Sequence, residues 1–284
     1  MGHAISAAAM PAFIQTPGFI RTGDGAALFY RDWGAGKPIV FVASWALPSE
    51  SWSYQMMALV EQGFRCIAYD RRGHGRSSDP GRGYDFDTLA DDLAAVLDAL
   101  DLHDVTLVGF SMGGAEIVRY VTRHGTARIG RLVSIAPTTP LVMRRPDNPQ
   151  GFDEAVLEDL HRAFEQDFPQ WVEENARPFV LPETSQATLE WVKGMALQTS
   201  LKAVIDCHRM LVREDFREEL RAIDLPVLVI QGDADISSPM NLAGRPTAEL
   251  IPGARLEIYQ GAPHGLFITH RERLNRDLAK FAAE

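Results

Sequence analysis

Short apolar runs and helical periods take turns along this chain. Residues 39–43 (IVFVA), 65–69 (RCIAY), 105–109 (VTLVG), 131–135 (RLVSI), 227–230 (VLVI) and 256–259 (LEIY) are rich in β-branched residues and read as strands. Several are apolar without alternation, which suits a strand covered on both faces. Residues 18–22 and 27–33 flank Gly23-Asp24-Gly25, a hairpin signal. Between the runs, residues 51–62 set Trp52, Met56, Leu59 and Val60 on one face, and Gly63 follows as a stop. Residues 88–100 do the same with Leu89, Leu93, Val96, Leu97 and Leu100, and residues 112–124 with Ile117, Val118 and Val121 before Gly125. Strands alternating with helices predict a mostly parallel sheet with helices on both sides.

One connection breaks the rhythm. Connections in such folds run about 2–6 residues, yet residues 137–225 separate two confident strands. Helical patterns fill this segment at 154–167, 169–174, 187–198 and 201–213, and prolines punctuate it. It reads as a helical cap over one end of a core formed by residues 1–136 and 226–284. Its Met143, Phe152, Phe164, Phe168, Trp171, Phe179, Trp191 and Met195 are the kind of side chain that lines an apolar pocket.

Composition narrows the class. Hydrophobic residues are 46% and charged residues 23% of the 284, the profile of a folded globular protein. The longest apolar runs fall far short of the about 20 residues of a membrane span. The net charge of −10 and the lack of a basic stripe argue against nucleic acid as a partner. Cys66 and Cys207 match no CxxC or metal spacing and read as free thiols of a reducing compartment. Residues 1–17 lack a basic start and an apolar run of signal-peptide length, so they are expected to be a flexible lead, and the cytoplasm is the expected location.

The sharpest chemical signal is Gly109-Phe110-Ser111-Met112-Gly113, where a strand ends and a helix begins. A GxSxG in that setting makes a tight, strained turn that lifts the serine oxygen above the sheet. The first N–H groups of the following helix are unpaired and carry its positive dipole end, so the Met112 N–H is a candidate oxyanion donor. A serine hydroxyl needs a base, and the base needs an orienting acid. Of the eight histidines, His264 lies in a loop directly after a strand and is the candidate base, while His74 reads as a structural loop residue. Asp233 and Asp235 follow the strand 227–230, and position alone leaves both open as the acid, because a short turn there also needs one Asp for its own backbone.

Taken with Asp70-Arg71-Arg72-Gly73-His74-Gly75-Arg76-Ser77 and Ala262-Pro263-His264-Gly265, these motifs resemble the α/β-hydrolase superfamily, and more closely its cofactor-free bacterial haloperoxidase, perhydrolase and aryl esterase branch. The resemblance runs from about residue 19 to the end. It implies an eight-stranded α/β-hydrolase fold with a helical cap, Asp235 as the acid, an acyl-enzyme on Ser111, and no metal or organic cofactor. By the same alignment the Trp45 N–H is the second oxyanion donor. Here Ala43-Ser44 stands where the family usually has His-Gly, and Ser44 is expected to brace the loop by a hydrogen bond. Perhydrolase-like relatives often carry Pro after the aromatic residue; this chain has Ala46, which weighs against peroxide as the main nucleophile.

The expected activity is hydrolysis of small aryl or short-acyl esters, with Trp45, Met143, Phe179 and Trp191 as pocket residues. Perhydrolase, cofactor-free haloperoxidase and lactonase are the alternatives that share every catalytic part. In the haloperoxidase case, peroxide takes the acyl-enzyme and the released peracid oxidises halide. Haloalkane dehalogenases and epoxide hydrolases put Asp where Ser111 stands. A receptor-like member that binds a ligand and turns it over little is the reading from another class. The resemblance also suggests self-association into a homo-oligomer.

Overall fold

The computed structural model describes residues 18–284; the expected lead at residues 1–17 lies outside the described residues. Eight strands form one sheet in the order β1-β2-β4-β3-β5-β6-β7-β8. They are β1 (Phe19–Arg21), β2 (Ala27–Gly34), β3 (Pro38–Val42), β4 (Arg65–Tyr69), β5 (Val105–Phe110), β6 (Ile129–Ile135), β7 (Val227–Gly232) and β8 (Arg255–Tyr259). The β1-β2 hairpin joins antiparallel to β4, and every pairing from β4 to β8 is parallel.

Side chains alternate across a strand, so each central strand feeds two cores. On one face Val40, Val42, Val105 and Leu107 pack against α2 (Phe86–Ala99) and α3 (Met112–His124) through Leu89, Leu93, Val96, Ile117 and Val121. On the other, Ile39, Phe41, Val108 and Phe110 meet Trp52, Met56 and Leu59 of a short 3-10 turn and α1 (Ser53–Val60). A final helix, α10 (Arg271–Ala283), adds Leu274, Leu278 and Phe281 to that second face. With both faces buried, β3, β4, β5 and β7 have no water-facing register, which explains their largely apolar sequence without alternation.

Between β6 and β7 the chain forms α4 (Glu154–Phe179), α5 (Gln186–Ala196), α6 (Leu201–Arg213) and α7 (Arg217–Arg221). The sequence predicts two helices at 154–167 and 169–174, and the chain does break there, α4 being two helical segments joined across a kink at Asp167, the second running on to Phe179. Asp167 leaves helical geometry (φ −160°, ψ 80°) two residues before Pro169, and its side chain accepts the Gln170 N–H at 3.0 Å. Proline stops the first half, and Asp167 caps the second. Ser185 and Ser200 cap α5 and α6 by accepting the Thr188 and Ala203 N–H groups. Two further short helices, α8 (Gly244–Leu250) and α9 (Leu266–Thr269), complete the connections. No helix of the described residues is long and apolar enough to cross a membrane.

Candidate active site

Parallel strands present all their C-terminal ends along one edge, and the loops that follow them converge there. Ser44 and Trp45 follow β3, Ser111 follows β5, Thr138 follows β6, Asp235 follows β7 and His264 follows β8. All except Asp235 line a cavity of about 400 Å³ that α4, α5 and α6 roof over.

Ser111 occupies the turn between β5 and α3 with φ 55° and ψ −117°. That left-handed geometry costs a non-glycine residue about 1–3 kcal/mol, and packing on every side holds it. The Ser111 N–H donates to the Ile135 carbonyl at 2.8 Å. Glycines make the turn possible. A Cβ on Gly113 would press into the Val42 carbonyl oxygen and come within 2.7 Å of the Ala43 oxygen. A Cβ on Gly109 would strike the Gly113 carbonyl.

Ser111 Oγ lies 3.1 Å from His264 Nε2, and His264 Nδ1 lies 2.7 Å from Asp235 Oδ2. All three residues are buried. Asp235 is itself anchored, its Oδ1 accepting the Ser237 and Ser238 N–H groups at 2.9 and 2.8 Å and its Oδ2 the Gln231 side chain at 3.1 Å. Asp233 is exposed and does the other job in the turn, accepting the Gly261 N–H at 2.6 Å. A hydroxyl, an imidazole and a fixed carboxylate joined in this order can pass the serine proton to the ring and hold the resulting imidazolium.

The loop after β3 is gripped from beneath. Arg71 donates to the Ala43 carbonyl at 2.9 Å and to the Ser44 carbonyl at 3.3 Å. Its Nε pairs with Glu116 at 2.7 Å, both side chains almost fully buried, and the Tyr69 hydroxyl donates to the other Glu116 oxygen. Burial among these groups pushes the Tyr69 hydroxyl well above its ordinary pKa. In a trans peptide the C=O and the next N–H point opposite ways, so a grip on the Ser44 oxygen also sets where the Trp45 N–H points. Among the described residues neither the Trp45 nor the Met112 N–H is paired with a carbonyl. Ser44 takes part in bracing the loop through its carbonyl, which accepts from Arg71 and from the Leu47 N–H at 3.3 Å each, whereas its hydroxyl has no partner among the described residues. Sequence reasoning quoted Arg71 inside a motif but missed this role, and it did not single out Glu116.

The Trp45 side chain is tied to the roof, its Nε1 donating to the Val204 carbonyl at 2.8 Å and its ring 5.1 Å from Phe164 and 5.5 Å from Trp171. Trp45 and Phe179 line the cavity, as do Phe164, Phe168 and Trp171. Met143 and Trp191 do not, which corrects two expected pocket residues. Met143 lies in a loop whose backbone pairs with Phe152, through Phe152 N–H to Val142 at 2.9 Å and Arg144 N–H to Phe152 at 2.8 Å. Val192, Lys193 and Ala196 are the α5 residues that reach the cavity. Trp191 is turned about 100° round the helix from Val192 and meets Tyr54 and Glu50 instead, donating to the Glu50 carboxylate at 3.2 Å.

His74 is fully buried off the cavity, its Nδ1 2.9 Å from the Arg72 carbonyl. Burial and the nearby Arg71 charge hold it neutral, its pKa lowered to about 3. Cys66 and Cys207 are buried free thiols, pushed up to about 12 by burial.

The sheet order, the strained serine turn and the roofed cavity define an α/β hydrolase, and the chain belongs to that family: the sequence profile of the alpha/beta hydrolase fold matches residues 37–271. Within it, the chain falls in the branch of the cofactor-free haloperoxidases. It is 39% identical over 267 residues to the non-heme chloroperoxidase CPO-A1 of Kitasatospora aureofaciens, covering 92% of this chain and 97% of that protein. The crystal structure of a bromoperoxidase from Bacillus anthracis matches with TM-score 0.90 and 36% identity, over 94% of this chain and 99% of that one. An esterase from Exiguobacterium antarcticum matches with TM-score 0.91 and 30% identity, over 94% and 99% of the two chains.

Proposed function

We propose that this hydrolase cleaves small carboxylic esters through an acyl-enzyme on Ser111, with residues 137–225 as the cap that shapes its pocket. The observation that carries this reading is the unbroken line Ser111–His264–Asp235, whose Ser111 and His264 line the largely apolar cavity with Asp235 behind them. Ser111 Oγ attacks the ester carbonyl carbon as its proton passes to His264 Nε2, and Asp235 stabilises the imidazolium. The carbonyl oxygen becomes an oxyanion held by the Trp45 and Met112 N–H groups, each worth about 2.7–4 kcal/mol in the transition state. The C–O bond breaks, and His264 returns its proton to the departing alcohol. Water then attacks the acyl carbon, gives a proton to His264, and the Ser111 oxygen leaves with that proton as the acid is released.

Replacing Ser111 by Ala should lower kcat for p-nitrophenyl acetate by about 10⁴-fold or more and abolish labelling by a fluorophosphonate probe. Undiminished turnover in a folded Ser111→Ala protein would overturn the reading. The names of the haloperoxidase relatives favour a second outcome at the same site. Hydrogen peroxide replaces water: its oxygen bonds to the acyl carbon as its proton goes to His264, the acyl carbon–Ser111 Oγ bond breaks, Ser111 takes the proton back from His264, and a peracid leaves. Bromination of monochlorodimedone in acetate and peroxide measures that branch.

A further inference from the structure

More than half of the cavity wall is Trp, Phe, Leu, Val and Ala, and away from His264 a second histidine, His208, lines it, backed by His161 outside the lining. His208, on α6, lines the cavity with its ring 5.4 Å from Trp45 and 5.2 Å from Phe164. Its Nδ1 lies 2.9 Å from Nε2 of His161, on α4, whose side chain is 1% exposed. Both rings are held neutral by burial, the pKa of His208 being lowered to about 3. A pair of neutral imidazoles sharing one hydrogen bond has one donor and one acceptor at that contact.

The far side of His161 decides which is which. Its Nδ1 is buried without a hydrogen-bond partner and faces a Glu158 carboxylate oxygen 3.9 Å away. Glu158 also pairs with Arg213 at 3.1 Å. Arg209, the other cation near the ring, is engaged by Glu165 at 2.9 Å. A lone pair turned toward a carboxylate is repelled, and an N–H turned toward it is attracted. The proton of His161 therefore sits on Nδ1, which leaves Nε2 to accept. His208 then carries its proton on Nδ1 and donates it to His161. Its Nε2, across the ring, keeps a bare lone pair and has no partner among the described residues.

We propose that His208, with its tautomer set by His161 and Glu158, is a hydrogen-bond-accepting recognition point of this pocket, beside the Thr138, Asn175, Lys193 and Ser237 side chains that also line it, and that the preferred esters carry a hydroxyl that donates to His208 Nε2. The proposal rests on the ester-hydrolase reading and specifies its substrate class. A wall built to accept a hydrogen bond discriminates against an analogue that cannot donate one, because the lone pair is then left desolvated.

Matched esters test it, with the distinguishing group on either side of the scissile bond. The acyl series is p-nitrophenyl (4-hydroxyphenyl)acetate with its 4-methoxy and 4-methyl counterparts. The alcohol series is 4-(hydroxymethyl)phenyl acetate with its 4-(methoxymethyl) and 4-ethyl counterparts. In at least one series the hydroxyl member should have a kcat/KM about five- to tenfold above both others. His208→Leu should bring that ratio to one or below. His161→Leu frees the His208 tautomer and should narrow the hydroxyl-to-methoxy ratio selectively. Equal kcat/KM across both series in the wild-type enzyme overturns the proposal whether or not the variants fold. So does a preference for the methoxy member, or a hydroxyl preference that survives His208→Leu. If instead Ser111→Ala leaves p-nitrophenyl acetate turnover intact, it is the ester-hydrolase reading that has failed.

Discussion

Replacing Arg71 by Met together with Glu116 by Gln removes the grip on the oxyanion loop without stranding a charge. The guanidinium reaches two successive carbonyls, Ala43 at 2.9 Å and Ser44 at 3.3 Å, and is neutralised by Glu116 at 2.7 Å. Arg71→Met alone leaves a buried carboxylate with only the Tyr69 hydroxyl, which should destabilise the fold by about 3–5 kcal/mol. That is a large share of a typical total of about 5–15 kcal/mol. The double variant replaces both members of the pair and should recover most of this loss. Catalysis should not recover. Complete loss of one oxyanion donor is worth about 2.7–4 kcal/mol, or about 10²–10³ in kcat. The loop retains the Leu47 N–H on the Ser44 carbonyl at 3.3 Å and the Trp45 indole on Val204 at 2.8 Å, so the expected fall is between about tenfold and that limit. KM for p-nitrophenyl acetate should stay within about threefold, because the oxyanion contact forms in the transition state rather than in the bound ester. Steady-state hydrolysis and urea unfolding of wild type, single and double variants measure both quantities. A double variant that folds stably and keeps kcat within twofold of wild type would refute the reasoning.

Asp235→Asn should lower kcat by about 10⁴ through the wrong His264 tautomer, while Asp233→Asn should change kcat little; the same ester assay compares them, and equal effects would reverse the assignment. Gly113→Ala places a methyl against the Val42 and Ala43 carbonyl oxygens, both backbone atoms with little room to yield; it should cost about 1–3 kcal/mol in denaturant unfolding and lower kcat at least tenfold by displacing Ser111. Stability should fall on acidification below the ordinary histidine pKa of about 6.5. His74 and His208 stay neutral in the fold, with pKa values lowered to about 3, while the unfolded chain takes up those protons, so stability is full above about pH 6.5 and lost as pH drops toward 3. Each such ring costs about 2 kcal/mol at pH 5, and unfolding midpoints that match at pH 7 and pH 5 would contradict this.

Much of the fold was legible in the residues because its causes are local or periodic. Strands buried on both faces favour apolar runs without alternation, and residues 39–43, 105–109 and 227–230 carry them, with Thr106 the one polar residue. The serine turn was legible because its strain needs small residues at fixed offsets, so Gly109 and Gly113 announce it. The candidate base followed from chain order, since a loop after a parallel strand has one edge of the sheet to reach. The final helix α10 went unnamed, its apolar face being only Leu274, Leu278, Phe281 and Ala282 among many charges.

What the residues could not decide was which side chains meet across the fold. Asp233 and Asp235 sit two positions apart with the same chemistry, and only the paths of the turn and of the loop after β8 bring Asp235 to His264 and Asp233 to Gly261. Trp191 and Val192 differ by one step round α5, and the packing of that helix on its neighbours chose Val192 for the cavity. Arg71 reaches Glu116, and His161 reaches His208, through contacts 45 and 47 positions apart in sequence. Local sequence settles where most strands and helices run, because that depends on propensity and period. The partners of a buried polar group depend on where distant elements dock, and docking is fixed by the shape of the whole core.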